Sequence, residues 1–317
     1  MNTVNTISTW RSLVLHFLSN FTIPGGKIFL QLLNGWILCT VRRTVTGMLP
    51  FADPDGRHAH DAFHRFFPHA HWSMAMLWRM LAQILIKTFY RTPTITLALD
   101  DTLFHHSGKK IAGAGWWRDA LRSTSTKNVS AWGLNLVVLT LQIQPPWGGQ
   151  PLSLPINMRL HRKKQASLIE LAEQMIKELV EWHPKRLFRV VADGFYATLA
   201  GKKLLNTTII SRIKRNAEQY LGVQEPQTFK GQGPERAAGL SLWLYSMLWL
   251  WYLKQNSSKQ YFMVHPWHPL KCRPSFADAI ACLRREVWRE RIKSMFGNSA
   301  VHDKKFEFLL EALAPAA

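Results

Sequence analysis

Between residues 94 and 215 the hydrophobic pattern changes period, and the element order this implies restricts the fold more than any other feature of the chain. Upstream, "KIFLQLLNGWILCTVRRTV" and "SMAMLWRMLAQILIKTFY" repeat apolar residues every three or four positions, as helices do. From Thr94 the pattern is that of strands. Residues 94–101 read as a first strand, β-branched and then apolar, and "AWGLNLVVLTLQI" (131–143) reads as a second. The Pro and Gly residues of "QPPWGGQP" mark a turn, so "LSLPINMRL" returns as a third strand and 131–160 forms a hairpin. "QASLIELAEQMIKELVEWH" (165–183) is an amphipathic helix. "LFRVVADGFYA" (187–197) is a fourth strand, "ATLAGKKLL" a short helix and "TTIISRIKR" (207–215) a fifth strand.

Strand, hairpin, helix, strand, helix, strand is the order of a ribonuclease-H-like α/β (mixed) core. The positions of the acids give that order a chemical meaning. The chain has 40 Lys and Arg against 20 Asp and Glu, yet "TITLALDDTLFHHSGKK" sets two acids side by side. Period two along 95–101 puts Ile95, Leu97, Leu99 and Asp101 on one face and turns Asp100 to the other. Asp193 ends the fourth strand. In a ribonuclease-H-like sheet the first and fourth strands are neighbours, so Asp101 and Asp193 stand together, with Asp100 directed away. Two such carboxylates repel unless a cation intervenes. Magnesium takes one or two protein carboxylates and leaves its other positions to water and phosphate. Read singly, Asp101-Thr102 and Asp193-Gly194 each fit a turn or a cap. As a pair on these strands of a basic chain, they read as metal ligands.

The 317 residues suit one large domain or two modest ones, and 47% hydrophobic content supports a packed core. A formal charge of +20 and a pI near 10.2 point to a polyanionic partner, nucleic acid before membrane. Cys39, Cys272 and Cys282 form no metal-ligand spacing, which suggests a reducing compartment without disulfides. The start, with Arg11 in its middle, does not read as a signal peptide. "AAGLSLWLYSMLWLWYL" (237–253) is about as long as the shortest membrane span, but as a lone run it reads as a buried core helix. "DPDGRHAHDAFHRFFPHAHW" holds His58, His60, His64, His69 and His71. Without cysteines or regular ligand spacing it reads as packed helical surface rather than a zinc site.

Several stretches resemble a bacterial insertion-sequence transposase of the DDE superfamily endonuclease group. They are "HDAFHRFFPHAHWS", "LALDDTLFHHSGKKIAGAGWWRDALRST", "WGLNLVVLTL", "VVADGFYA", "EQYLGVQEPQTFKGQGPERAAGLSLWLYSMLWLWYL" and "PSFADAIACLRREVWRERI". The resemblance implies a helical N-terminal region (1–92) that binds DNA ends, a ribonuclease-H-like catalytic core (93–260) and a basic helical C-terminal region (261–317). It implies two Mg2+ ions, with Mn2+ as a substitute. It also implies cleavage and strand transfer on transposon DNA, a homodimer in the DNA complex, and a place at the nucleoid in a bacterial cytoplasm. The first family aspartate falls on Asp101 and the second on Asp193, as catalytic residues and metal ligands.

The third acid departs from the family pattern. There, a long β-rich insertion follows the fifth strand, and a helix then carries the catalytic Glu. Here "RIKRNA" runs straight into "EQYLGVQEPQ", which reads as an internal deletion near residue 217. Glu218 falls where the family has a basic residue and is the candidate substitute. Basic residues follow the first strand (Lys109, Lys110, Arg118, Arg122, Lys127) and close the hairpin (Arg159, Arg162, Lys163, Lys164), with Trp116 and Trp117 among the first group. These cations suit phosphate contacts, and the indoles suit base stacking or the core. The basic run 282–294 is either a DNA contact or a charged outer face. Two functions follow: a metal-dependent transposase, defective in this copy, or a non-catalytic DNA-binding protein derived from one.

Overall fold

The computed structural model describes residues 6–123, 127–210, 231–255, 271, 273–297, 309–310 and 312–313. Helices α1 (Thr6–Leu15), α2 (Ile23–Leu38), α3 (Val45–Ala52), α4 (His60–His69) and α5 (Met74–Phe89) lead into the sheet. Thr22, Thr44 and Ser73 start three of them. Each side-chain oxygen accepts the N–H three residues on, from Gly25, Gly47 and Met76, which satisfies a donor the first helical turn leaves open.

The strands are β1 (Thr94–His105), β2 (Gly115–Arg118), β3 (Ser130–Ile143), β4 (Leu152–His161), β5 (Leu187–Ala192) and β6 (Thr207–Ile209). They form one mixed sheet in the order β2-β3-β1-β5-β6, with β4 also paired to β3. β1 is antiparallel to β3 and parallel to β5, and β5 is parallel to β6. Without β2 this is the predicted five-strand set, and its first and fourth members are neighbours. The fold is ribonuclease-H-like.

Several boundaries differ from the sequence reading. β1 does not stop at Asp101. Its ladder with β3 continues from Asp101 opposite Val137 to His105 opposite Gly133, because β3 is long enough to pair with it throughout. Residues 115–118, given no strand in the sequence reading, form β2 on the far edge of β3, where Gly115 meets Gly133. Gly133 thus lies between β1 and β2, and a Cβ there would strike the Phe104 carbonyl. β5 ends at Ala192, and the next segment, Gly194–Gly201, winds into a 3-10 turn. Residues 211–215 of the expected fifth strand lie outside the described residues.

Helix α6 (Leu168–Trp182) starts in a capping box. Ser167 accepts the Glu170 N–H and Glu170 accepts the Ser167 N–H. It covers the face of β4 that carries Asn157 and Arg159, both bonded to Glu178. The opposite face carries Met158, whose methyl group, like the sulfur of Met74 on α5, lies against Gly239 of α7 (Gly233–Leu253). Residues 237–252, the membrane-length run, are all buried in this second layer. No described helix is long and apolar enough to cross a membrane. One apolar cluster runs from Trp10 through the sheet to Val287, so the N-terminal helices and the sheet share a core.

Helix α8 (Phe276–Phe296) carries the basic run 282–294. Its face is not wholly solvent-directed: Arg284 has no exposed surface, and its Nε donates to the Ile37 carbonyl at 2.5 Å.

Candidate active site

The pairing of β1 with β5 ends at Leu99 opposite Ala192. The next residue on each chain is an aspartate, Asp100 and Asp193, and Asp101 follows Asp100. Carboxylates therefore gather at the carboxyl edge of two adjacent parallel strands, where α/β sheets place their ligand sites. Asp193 is exposed and caps the 3-10 turn, its Oδ1 accepting the Phe195 N–H at 3.0 Å. That bond holds the carboxylate close to the strand end.

Asp101 lies on the α6 face of the sheet. It sits opposite Val137, and two residues along β3 stands Asn135, opposite His161 of β4. Tyr196, with no exposed surface, donates its hydroxyl proton to Asp101 Oδ1 at 3.2 Å, and the Asn135 side chain hydrogen-bonds the same carboxylate. Strand alternation turns Asp100 to the other face, as expected, and its Oδ1 accepts the Asp101 N–H at 2.9 Å. At the sheet edge it still feels the charges of both Asp101 and Asp193.

Burial, then the charge of Asp101, pushes the Asp100 carboxyl up to about 6, with Asp193 adding to the rise. Burial also raises Asp101, against the bonds from Tyr196 and Asn135 and with the repulsion of Asp193. Tyr196 is held well above the ordinary phenol range, by burial first and by Asp101 next. Burial lowers His161, whose imidazole faces the Asp101 charge.

Burial and mutual repulsion thus both act against the charged forms of Asp100 and Asp101. Their donors are all carboxylate oxygens, which suits a hard divalent ion that takes one or two protein carboxylates. Among the described residues no group of three or more His, Cys, Asp and Glu side chains is gathered closely enough to hold one ion. The fit is to a site shared with water and substrate oxygens. Glu218, the candidate third acid, lies outside the described residues.

The model of the family described as DDE superfamily endonuclease matches residues 26–241, more than half of the chain. The chain belongs to this family. No curated protein and no solved structure matches it. The match extends from α2 into α7 and so takes in the three aspartates, Tyr196 and the layers that carry them. Members of the DDE superfamily are nuclease-type enzymes that act on DNA and generally use divalent metal ions.

The predicted phosphate-binding residues of this chain fall into two groups. Lys109, Lys110, Arg118, Arg122, Lys127, Lys163 and Lys164 are exposed. Arg122 also reaches Asp119 at 3.4 Å. Arg159 is paired with Glu178 at 2.6 Å, and Arg162 with Glu235, in the first turn of α7, at 3.0 Å. Those two guanidiniums tie helices to β4. His161 connects the exposed cations to the acids: its ring lies 4.5 Å from that of Trp117, over which Lys163 sits at 5.4 Å. Trp117 donates its indole N–H to the Gly133 carbonyl and is held in the structure, whereas Trp116 on the same strand is 60% exposed.

Asn135, His161 and Tyr196 were not singled out from the sequence. The first two are polar residues inside apolar strands, a signal available to inspection, but their meeting with Asp101 depends on strand register. Tyr196 lies three residues after Asp193, a spacing that gains meaning only once the segment is known to be a 3-10 turn.

Proposed function

We propose that this DDE endonuclease is a transposase-class protein that cleaves and joins DNA in the movement of an insertion sequence, with Asp101 and Asp193 holding magnesium. What supports the reading is the register of β1 and β5, which ends at Leu99 opposite Ala192 and so leaves aspartates next along both strands, with the Tyr196 hydroxyl donating to Asp101. Bound magnesium, or manganese in its place, would supply positive charge to the attacking and leaving oxygens of in-line displacement at phosphorus. The chain itself supplies placement. Asp101 is restrained by its two hydrogen bonds, and Asp193 by the turn it caps. The exposed lysines and arginines after β1 and β4 would neutralise the DNA backbone and set its register over the acids. Residues 1–92 would grip the DNA ends, and a homodimer would bring two ends together.

A second reading, a DNA-binding protein without cleavage, is favoured by the sequence at Ala217-Glu218, where the family's acid-bearing helix is not recognisable. A nicking assay on supercoiled DNA carrying the element's ends separates the two. Magnesium-dependent nicking that disappears in Asp101→Asn and Asp193→Asn supports the nuclease. Tight binding with no nicking in magnesium or manganese supports the second reading.

A further inference from the structure

Asp119 is a buried carboxylate in a turn rich in cations, its side chain 3% exposed. Oδ1 accepts the N–H groups of Leu121 at 3.0 Å and Arg122 at 3.2 Å. Oδ2 meets Nε2 of His105, at the end of β1, at 2.9 Å, and the Arg122 Nε lies 3.4 Å from the same oxygen. The Asp119 backbone is fixed as well: its N–H donates to the Val129 carbonyl, and its carbonyl accepts the Ser123 N–H. One buried acid thus holds an imidazole and a guanidinium, and the nearby Arg118 and Lys127 are exposed.

Those bonds set the state of the imidazole. Burial acts to raise the Asp119 carboxyl, but the N–H groups of Arg122 and Leu121, and then His105, outweigh it and hold it below the usual range. An ionised carboxylate only accepts, so Nε2 of His105 carries a proton. Nδ1 then bears a lone pair in the neutral ring and an N–H in the imidazolium. Among the described residues Nδ1 has no hydrogen-bond partner, and it is not one of the buried atoms left without one, so it faces solvent.

Strand alternation puts His105 on the Asp101 face of β1, four residues or ~13 Å along the strand. On that face β3 presents Ala131, Gly133 and Asn135 and β2 presents Gly115 and Trp117, and none of these titrates. The titratable groups that meet His105 are Asp119, Arg122 through the shared carboxylate, and His106, which burial and then the His105 charge hold toward its neutral form.

We propose that His105 is a phosphate-binding residue of the DNA surface and that Asp119 is the positioning residue that aims it, with Arg122 as the second cation on the same anchor. The inference rests on the DNA reading above and adds a contact to it. A DNA phosphate at Nδ1 draws one proton from solvent onto that nitrogen. The imidazolium then donates one N–H to the phosphate and the other to Asp119.

The test measures binding of the full chain to a labelled duplex of arbitrary sequence, since phosphate contacts do not depend on sequence. Wild type, His105→Gln, Asp119→Asn and the double variant are compared between about pH 5.5 and about pH 8, the range in which histidine changes charge. Gln keeps a donor for Asp119 but cannot take up a charge, and circular dichroism establishes that each variant is folded. At the low end, the slope of log affinity against log salt should be steeper in wild type than in His105→Gln by ~0.9, the value for one phosphate of duplex DNA, or about three- to fourfold in affinity between 50 and 200 mM salt. The gap should close toward the high end. Asp119→Asn should lose the same increment, and the double variant no more than either. Should Asp119→Asn fail to fold, the partly exposed His105→Gln decides. Salt slopes that match in wild type and folded His105→Gln at every pH overturn the proposal and leave the DNA reading standing. Wild type that shows no salt-sensitive duplex binding at any pH overturns both.

Discussion

The Tyr196 hydroxyl donates to Asp101 Oδ1 at 3.2 Å and so joins the turn after β5 to the middle of β1. Tyr196 has no exposed surface, and its hydroxyl is directed at a half-buried carboxylate. A hydrogen bond to a charged group contributes about 1.5–3 kcal/mol, and a buried acceptor left without it loses a comparable amount. Tyr196→Phe keeps the ring in the core and removes only the donor. It should lower unfolding stability by about 1–3 kcal/mol, read as a lower denaturant midpoint at unchanged slope. In an Asp101→Asn background the loss should shrink, because a neutral amide interacts less strongly with the phenol. Equal losses in both backgrounds would show that the bond carries no coupling.

Much of this arrangement was legible in the sequence, for a physical reason. The strands that became β1, β3 and β4 alternate or run apolar between turn residues, and α6 has a strong apolar face with a Ser-x-x-Glu start, so local pattern and final structure agree. β2 escaped notice because Gly115–Arg118 is a short edge strand whose pairing depends on Gly133, distant in sequence. The extent of β1 beyond Asp101 was hidden for the same reason: residues 102–105 are strand because β3 is there to pair with them. Asp101 and Asp193 could be chosen by position, but Asn135, His161 and Tyr196 could not, since three separate elements must assemble before they meet Asp101. The pairing of Arg159 and Arg162 with Glu178 and Glu235 likewise required knowing which helices cover β4.

DNA affinity should fall steeply with salt. Each phosphate neutralised releases counterions, and neutralising six or more of them costs about a thousandfold in affinity between 50 and 200 mM salt. Lys109, Lys110, Arg118, Lys127, Lys163 and Lys164 are exposed. Replacing Lys163 and Lys164 with alanine should reduce the slope of log affinity against log salt by about 1 for each phosphate that is no longer neutralised. Arg159→Ala should instead act mainly on stability, since its partner is Glu178. A salt slope unchanged in the Lys163 and Lys164 double variant would remove that pair from the DNA surface.

Arg236 should matter more for stability than a basic residue near a helix start ordinarily does. Its guanidinium donates to the carbonyls of Phe67 and Ala70 at 3.1 Å and of Trp72 at 2.8 Å. It also lies 4.6 Å from the Trp72 ring. It closes the link between α4 and α5 and ties it to α7. Burial lowers its pKa, with the Glu235 charge acting in the opposite direction, so the planar fork is held in a partly desolvated place. Arg236→Ala should cost about 2–4 kcal/mol, and Arg236→Lys should recover little, because an ammonium cannot reproduce the fork. Full recovery by lysine in a thermal unfolding series would show that charge alone is needed.

Asp278 gives a pH-dependent contribution. Burial acts to raise its carboxyl, but bonds from Lys271 and Ser275 outweigh burial and hold it below the usual range. Lys271 stands 2.6 Å away, and Asp278 completes the capping box of α8. A depressed folded-state value means the stabilisation is present above the unfolded pKa, about 3.9, and is lost as pH falls through the folded value. Asp278→Ala should therefore destabilise the protein near neutral pH, and the gap between wild type and variant should narrow as pH drops below about 4. A gap that stays constant down to the acid transition would contradict the assignment.

Catalysis should be the weakest property of this chain. On the proposed reading Asp101 and Asp193 would supply the oxygen ligands, and among the described residues no group of three or more acids, histidines or cysteines gathers closely enough to hold one ion. Three carboxylates are expected by resemblance to share two ions. With only Asp101 and Asp193 in place, the attacking and leaving oxygens are held less firmly in line, and about 4 kcal/mol less transition-state stabilisation slows cleavage about a thousandfold. We therefore expect DNA bearing the element's ends to be bound but cut slowly or not at all in magnesium. Glu218, next to the joined segment, is the residue most able to restore the missing function. Replacing it with Gln should leave DNA binding and any residual nicking unchanged. If purified wild type nicks efficiently and Glu218→Gln abolishes nicking while binding persists, Glu218 has taken the third position and the proposal of a weakened active site is wrong.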